Sequence, residues 1–231
     1  MERILAINPG ATSTKFAVFD GEQCLLEERV EHQGEDLRRF ERIFDQYEYR
    51  LGLVREALER AGVGLETLDA VVGRGGLLRP LAGGVYEVNQ AMLDDLRAAA
   101  RGEHASNLGA ALAEGIARPL GIMALIVDPV SIDEFEPEAR LSGLPELPRV
   151  SLWHALNSKA VARKAAAEMG KRYDEVNLVV AHLGSGVSVS PHRKGRAIDV
   201  NNALEEGPFS PDRAGGLPAH LLVKLCFSGR F

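Results

Sequence analysis

The chain has 231 residues, 45% of them hydrophobic, with 33 acidic against 27 basic side chains and a net charge of −6. That length holds one large domain or two modest ones, and two are expected. The charge excludes the basic face that nucleic acid or an anionic membrane surface requires, so neither is expected as a partner. Two cysteines, Cys24 and Cys226, are too few for a disulfide framework or a cysteine metal site. They read as small buried apolar residues of a cytoplasmic protein, and no apolar run approaches the roughly 18 residues of a membrane span.

Strands alternate with helices along the chain. Ile4–Ile7, Phe16–Phe19 and Cys24–Val30 read as a meander of three short strands. From about Glu35 to Ala61, Leu37, Phe40, Phe44, Tyr47, Leu51, Val54 and Leu58 recur at steps of three and four, which predicts one long helix stopped by Gly62. Local basic pairs such as Arg38-Arg39 read as its solvated face. Asp69–Val72 is a short strand running into GRGGLLRPLAGG, followed by helices over Gln90–Arg101 and Asn107–Arg118 and a strand over Met123–Val127. Pro137, Pro145 and Pro148 make 136–149 irregular, and a domain boundary is expected at its end, giving domains over 1–149 and 150–231. A helix over Leu152–Met169, strands over Asn177–His182, Val187–Pro191 and Arg196–Val200, and a last helix over about Pro218–Phe227 complete the chain.

The stretch INPGATSTKFAVFD breaks an apolar run at Asn8-Pro9-Gly10, then passes Thr12, Ser13, Thr14 and Lys15 before turning apolar again. A plain reversal needs only the proline and glycine. Three hydroxyls and a lysine beside a glycine suit a phosphate group, held by backbone N–H groups and one ammonium; an ordinary polar hairpin would account for them equally. The spacing is not that of a Walker P-loop. Without a gap, ILAINPGATSTKFAVFDG superposes on LVVAHLGSGVSVSPHRKG, matching Gly10 to Gly184, Gly21 to Gly195 and Thr14 to Ser188. Either two unrelated hairpins coincide, or the fold is duplicated with a phosphate turn in each half, two turns able to face each other across a cleft.

Seven segments then carry a resemblance: Asn8 to Lys15, Gly73-Arg-Gly-Gly76, His104-Ala-Ser-Asn-Leu-Gly109, Val127-Asp-Pro-Val-Ser131, Trp153-His-Ala-Leu-Asn157, His182-Leu-Gly-Ser-Gly186 and Asp212-Arg-Ala-Gly-Gly216. Together and in this order they resemble the butyrate kinases, within the acetokinase family of the actin-like superfamily of sugar kinases, Hsp70 and actin. Asn8, where sugar kinases and Hsp70 place aspartate, favours the carboxylate kinases. The resemblance implies an α/β fold of duplicated actin-like (ribonuclease H-like) domains, each a mixed sheet flanked by helices. It implies reversible phosphorylation of a short-chain carboxylate, butyrate or a branched relative, by ATP with Mg²⁺.

The same resemblance distributes roles. Arg213 would stabilise the transferring phosphoryl group, Arg74 would hold the acid, and His154 would donate to a phosphoryl oxygen. Asp128, at a strand end, would lie near Mg²⁺ or the acceptor, and His104 matches a further active-site position of the family. Asn8, Gly10, Thr12, Ser13 and Lys15 in the first turn, and His182, Gly184, Ser185 and Gly186 in the second, would hold the ATP or ADP phosphates, with Asn8 and Asp128 beside the metal. For the arginines a surface ion pair is the competing role, for Asp128 a helix or turn cap, and for His154 a satisfied helix position.

Resembling kinases continue past Phe231, and the final stretch LLVKLCFSGRF is apolar. The second domain is therefore expected to be incomplete, the isolated chain inactive, and the bare apolar face to favour a homo-oligomer. The competing function is a non-catalytic phosphate-binding or interaction module.

Overall fold

The computed structural model describes residues 2–202 and 204–230, which divide into two compact units after Ser131. In the first unit, β1 (Arg3–Pro9), β2 (Ser13–Asp20) and β3 (Gln23–Glu31) form the expected antiparallel meander. Next come α1 (Gly34–Arg38), α2 (Tyr47–Arg60), β4 (Ala70–Arg74), β5 (Val85–Glu87), α3 (Gln90–Ala98), α4 (Leu108–Ala117) and β6 (Met123–Val127). The sheet order is β3-β2-β1-β4-β6-β5, with β4 parallel to β1 and β6 parallel to β4.

The expected long helix is two pieces. An irregular stretch from Arg39 and a single 3₁₀ turn at Ile43–Gln46 separate α1 from α2. Phe40 and Phe44 keep a three- and four-residue rhythm there, but Arg42 fastens the turn elsewhere, giving Nε to Glu103 at 2.9 Å and Nη2 to the Arg97 carbonyl at 2.6 Å. Edge strand β5 was not anticipated, since three residues are too few to display a period.

Helix α4 is buried from Leu108 through Ala113 and again at Ile116 and Ala117. Its glycine lets it lie directly on the sheet: a Cβ at Gly73 would fall on the Gly109 carbonyl, and one at Gly109 on that of Arg74. Leu5, Ile7, Val71 and Ile126 from the strands and Val54, Leu58, Leu108 and Leu112 from the helices fill this unit's core, each contributing about 1.5–3 kcal/mol by leaving water.

The second unit holds α5 (Ala155–Glu168), β7 (Asn177–Leu183), β8 (Val187–Arg193), β9 (Arg196–Ala197) and α6 (Ala219–Cys226), with β7-β8-β9 repeating the antiparallel meander. Its core is smaller, built on Ile132, Phe135, Trp153, Ala155, Ala197 and Val200. The proline-bearing segment belongs to this unit instead of ending the first. Glu136 N donates to Ile198 O at 3.0 Å, and Arg149 reaches the Ala139 and Val200 carbonyls at 2.8 and 2.7 Å. A buried ion pair, Lys159 Nζ to Glu134 Oε2 at 2.7 Å, ties α5 to the residues just before that segment. Both cysteines are exposed, a correction: Cys24 lies on the outer strand β3, and α6 buries none of its residues. Among the described residues no helix is long and apolar enough to cross a membrane.

Candidate phosphate and transfer sites

In the first unit three parallel strands end side by side. Ile7, Gly73 and Ile126 are in register, so Asn8, Arg74 and Asp128 come at or just past the carboxyl ends of β1, β4 and β6, where α/β folds collect their sites. Arg74 Nη1 donates to Asn8 Oδ1 at 3.3 Å. The arginine is half-buried, burial lowers its pKa, and it pairs with no carboxylate among the described residues. A desolvated cation of that kind favours an incoming anion. Asp128 is 1% exposed and sits at φ 38°, in the left-handed region that non-glycine residues rarely adopt. It exchanges bonds with Gly84: the Gly84 N–H donates to Oδ1 at 2.9 Å and the Asp128 N–H to the Gly84 carbonyl at 3.0 Å.

Gly75 and Gly76 let this loop close up, since a Cβ would meet Pro129 at the first and Asn107 at the second. Asn107 Oδ1 accepts from Leu77 N at 2.9 Å. Within the His104–Gly109 segment, Asn107 and Gly109 thus support the arginine loop. His104 itself is exposed, with Nδ1 bonded locally to Ser106 N at 3.1 Å and Ser106 Oγ at 2.7 Å.

Across the first hairpin Asn8 pairs with Lys15, both exposed on one face, while Thr14 on the other face is fully buried. Thr12 is exposed and Ser13 buried. Thr14 therefore does not join the mouth of the turn. Its hydroxyl meets Arg50 Nη1 at 3.2 Å and His32 Nε2 at 2.9 Å.

The second hairpin repeats the plan with a shorter turn. Three residues, Gly184 to Gly186, separate Leu183 from Val187, against four, Gly10 to Ser13, between Pro9 and Thr14. The ungapped superposition is thus one residue out of register beyond the turn. Ser188 is nonetheless fully buried like Thr14, and it too meets a histidine, His154 Nδ1 at 2.9 Å.

His154 holds the N-cap position of α5, without a side-chain cap bond, and Asn157 follows one turn later, so both point from the same side of the helix start toward β7. Asn157 Oδ1 lies 2.9 Å from His182 Nδ1. The rings of His154 and His182 stack at 3.9 Å with an 11° tilt. Trp153 anchors this corner, its Nε1 donating to the Ile132 carbonyl at 3.1 Å. Below the glycine turn lies Arg213. A Cβ at Gly186 would occupy the guanidinium's place and come within 3.3 Å of His154 Cε1. Ser210 and Arg213 form a closed turn, Ser210 N donating to Arg213 O at 2.9 Å, and Ser210 Oγ fastens it to the Ser185 carbonyl at 2.6 Å. Arg213 makes no ion pair among the described residues.

His154, His182, Gly184, Ser185, Gly186 and Arg213 therefore come together in one unit, as Asn8, Lys15, Arg74 and Asp128 gather at strand ends in the other. Sequence reading missed Asn157, Ser210 and Arg50. Arg50 carried a signal: it falls four residues before Val54, on the apolar face of α2.

Residues 151–207 match the family model described as the Acetokinase family. The segment includes His154, Asn157, His182 and the second glycine turn, and leaves out Arg213 and the whole first unit. By overall structure the chain is similar to the acetate kinase of Porphyromonas gingivalis, with a TM-score of 0.74 and 18% identity over 100% of this chain and 65% of that one. A propionate kinase from Francisella tularensis subsp. tularensis SCHU S4 gives 0.68 and 19%, over 100% and 66%. The acetate kinase of Entamoeba histolytica gives 0.67 and 14%, over 97% and 61%. The chain thus spans slightly less than two thirds of these relatives. At such identities the likeness is one of fold, and it bears out the expected α/β class with a mixed sheet flanked by helices.

Proposed function

We propose that this chain carries the phosphate- and acid-binding residues of a carboxylate kinase, which transfers the γ-phosphoryl group of ATP to a short-chain acid, butyrate or a branched relative. The observation that supports it most is Arg213, a guanidinium with no ion pair among the described residues, set against Gly186 beside the His154–His182 stack, in a unit whose core segment matches the Acetokinase family.

A carboxylate is already a nucleophile, so the protein need not supply a strong base; it must position two anions and offset their charge. A carboxylate oxygen bonds to the γ-phosphorus, the bond to the bridging oxygen breaks, and ADP leaves with that electron pair, giving an acyl phosphate. Arg74 would hold the acid with its planar fork. Arg213 and His154 would donate to the equatorial oxygens, Lys15 and the N–H groups of the first turn to one set of phosphates, and the Gly184–Gly186 backbone to another.

Asp128 would lie beside a Mg²⁺ ion that takes most of its ligands from phosphate and water, and, being 1% exposed with Oδ1 bonded to the Gly84 N–H, its carboxylate would have to open toward the ion; no group of three or more acidic, histidine or cysteine side chains among the described residues could hold a metal alone. Asn8 would have to give up its bond to Arg74 to join it. Bound there, Mg²⁺ would offset phosphate charge.

Acyl hydroxamate formation with Mg-ATP by a longer protein that contains this chain, tried with acetate, propanoate, butyrate and isobutyrate, tests the reading. Product from the four-carbon acids is expected there, and none from the 231-residue chain alone. Phosphorylation of a sugar with none of the acids consumed would overturn it, and pyrophosphate binding without transfer to any acceptor would favour the non-catalytic module.

A further inference from the structure

Arg50 lies on α2, on the apolar face of its helix, and is only 1% exposed. Its guanidinium has five short contacts, all to neutral acceptors. Nε and Nη2 donate to Gln46 Oε1 at 3.0 and 2.8 Å, Nη1 to the Gly10 carbonyl at 2.8 Å and to Thr14 Oγ1 at 3.2 Å, and Nη2 to the Ala11 carbonyl at 3.3 Å. No carboxylate joins it among the described residues. A buried cation ordinarily has a counter-charge, because the cost of removing it from water is otherwise only partly recovered. Here three of its acceptors, Gly10 O, Ala11 O and Thr14 Oγ1, belong to the turn Asn8–Lys15 itself.

The geometry points to Arg50 as the positioning residue of the first phosphate turn, a role that rests on the reading of that turn as an anion site. In a trans peptide the N–H points opposite to the C=O. Drawing the Gly10 and Ala11 carbonyls back onto Arg50 therefore turns the N–H groups of Ala11 and Thr12 away from it. Both residues are exposed, and neither N–H has an acceptor among the described residues. Two successive outward N–H groups make the concavity that binds phosphate oxygens, and Arg50 adds positive charge from behind it.

Thr14 completes the arrangement. Its oxygen accepts from Arg50 Nη1 at 3.2 Å and lies 2.9 Å from His32 Nε2. The third hydroxyl of the opening stretch thus locks the turn from within instead of touching the ligand.

The test is pyrophosphate binding to the 231-residue chain, read by titration calorimetry and by the amide resonances of Ala11 and Thr12, which localise binding to this turn. In Arg50→Met the affinity of the folded protein should fall about tenfold or more, the scale of a lost charged hydrogen bond. Arg50→Lys keeps the charge but not the fork and should fall in between, with smaller amide shifts. A merely structural residue would lower the melting temperature and leave the affinity of the folded fraction alone. If Arg50→Met does not fold, Arg50→Lys decides. Affinity within about twofold of the parent in the folded variant overturns the assignment. Lys15→Ala separates the two ideas: if it weakens binding while the Arg50 variants do not, only Arg50 is misassigned. If pyrophosphate moves neither amide in the parent, the anion-site reading and the role of Arg50 fall together.

Discussion

The imidazoles of His154 and His182 lie face to face at 3.9 Å, one rooted in the cap of α5 and the other in β7. Each is held through Nδ1 by a different residue, Ser188 for the first and Asn157 for the second. Stacked at this distance, each ring limits the tilt of the other. Truncating either should therefore release both. In a cycle of His154→Ala, His182→Ala and the double variant, pyrophosphate affinity should show a coupling of about 1 kcal/mol. Strict additivity would mean that the rings act independently.

Arg213→Ala should lower phosphoryl transfer by about a hundredfold or more, the scale of losing one donor to developing charge, with a smaller change in KM for the acid. Gly186→Ala should do nearly the same with the arginine still present, because the new methyl takes the space of the guanidinium. The hydroxamate assay on the longer protein reads both. A fully active Gly186→Ala would show that the guanidinium works from elsewhere.

Gly109→Ala should destabilise the first unit by about 2 kcal/mol or more, since overpacking here meets the rigid backbone of Arg74 and no side chain can swing aside. Gly52→Ala is the control: nothing lies within 4 Å of a Cβ there, and the gain in helix propensity should leave it neutral or slightly stabilised. Urea unfolding of the two variants distinguishes them.

Both buried histidines of the hairpins resist protonation. Burial, reinforced by Arg50, lowers His32 from 6.5 to about 4, and burial with Lys159 does the same for His192. Between those values the unfolded chain binds more protons than the folded one. Stability is thus fully present above about pH 6.5 and is lost as pH falls toward 4, by up to about 3 kcal/mol per histidine. Melting temperatures should drop over that window, and less steeply in His192→Gln. An unchanged slope in that variant would assign the loss to other groups.

Much of this was legible in the chain. Strand and helix periods located every long element, because one buried face imposes its spacing on the sequence whatever covers it. The glycine-rich segments announced two turns and an arginine loop, since only glycine tolerates a backbone or guanidinium at van der Waals distance. What periodicity cannot express is which partner a polar group finds. Thr12, Ser13 and Thr14 are alike as letters, yet hairpin register sends Thr14 inward to Arg50 and His32. Asn157 matters only because α5 starts beside β7, and Arg213 only because Ser210 is fastened to the second turn. The break between α1 and α2 has the same origin: the Arg42 side chain reaches Glu103 and the Arg97 carbonyl, and the Ile43 N–H donates to Glu103, some 55 to 61 residues away. Sequence determined which faces are apolar and where the chain can turn; tertiary structure decided the pairings, because hydrogen bonds and stacked rings depend on distances between segments that are remote along the chain.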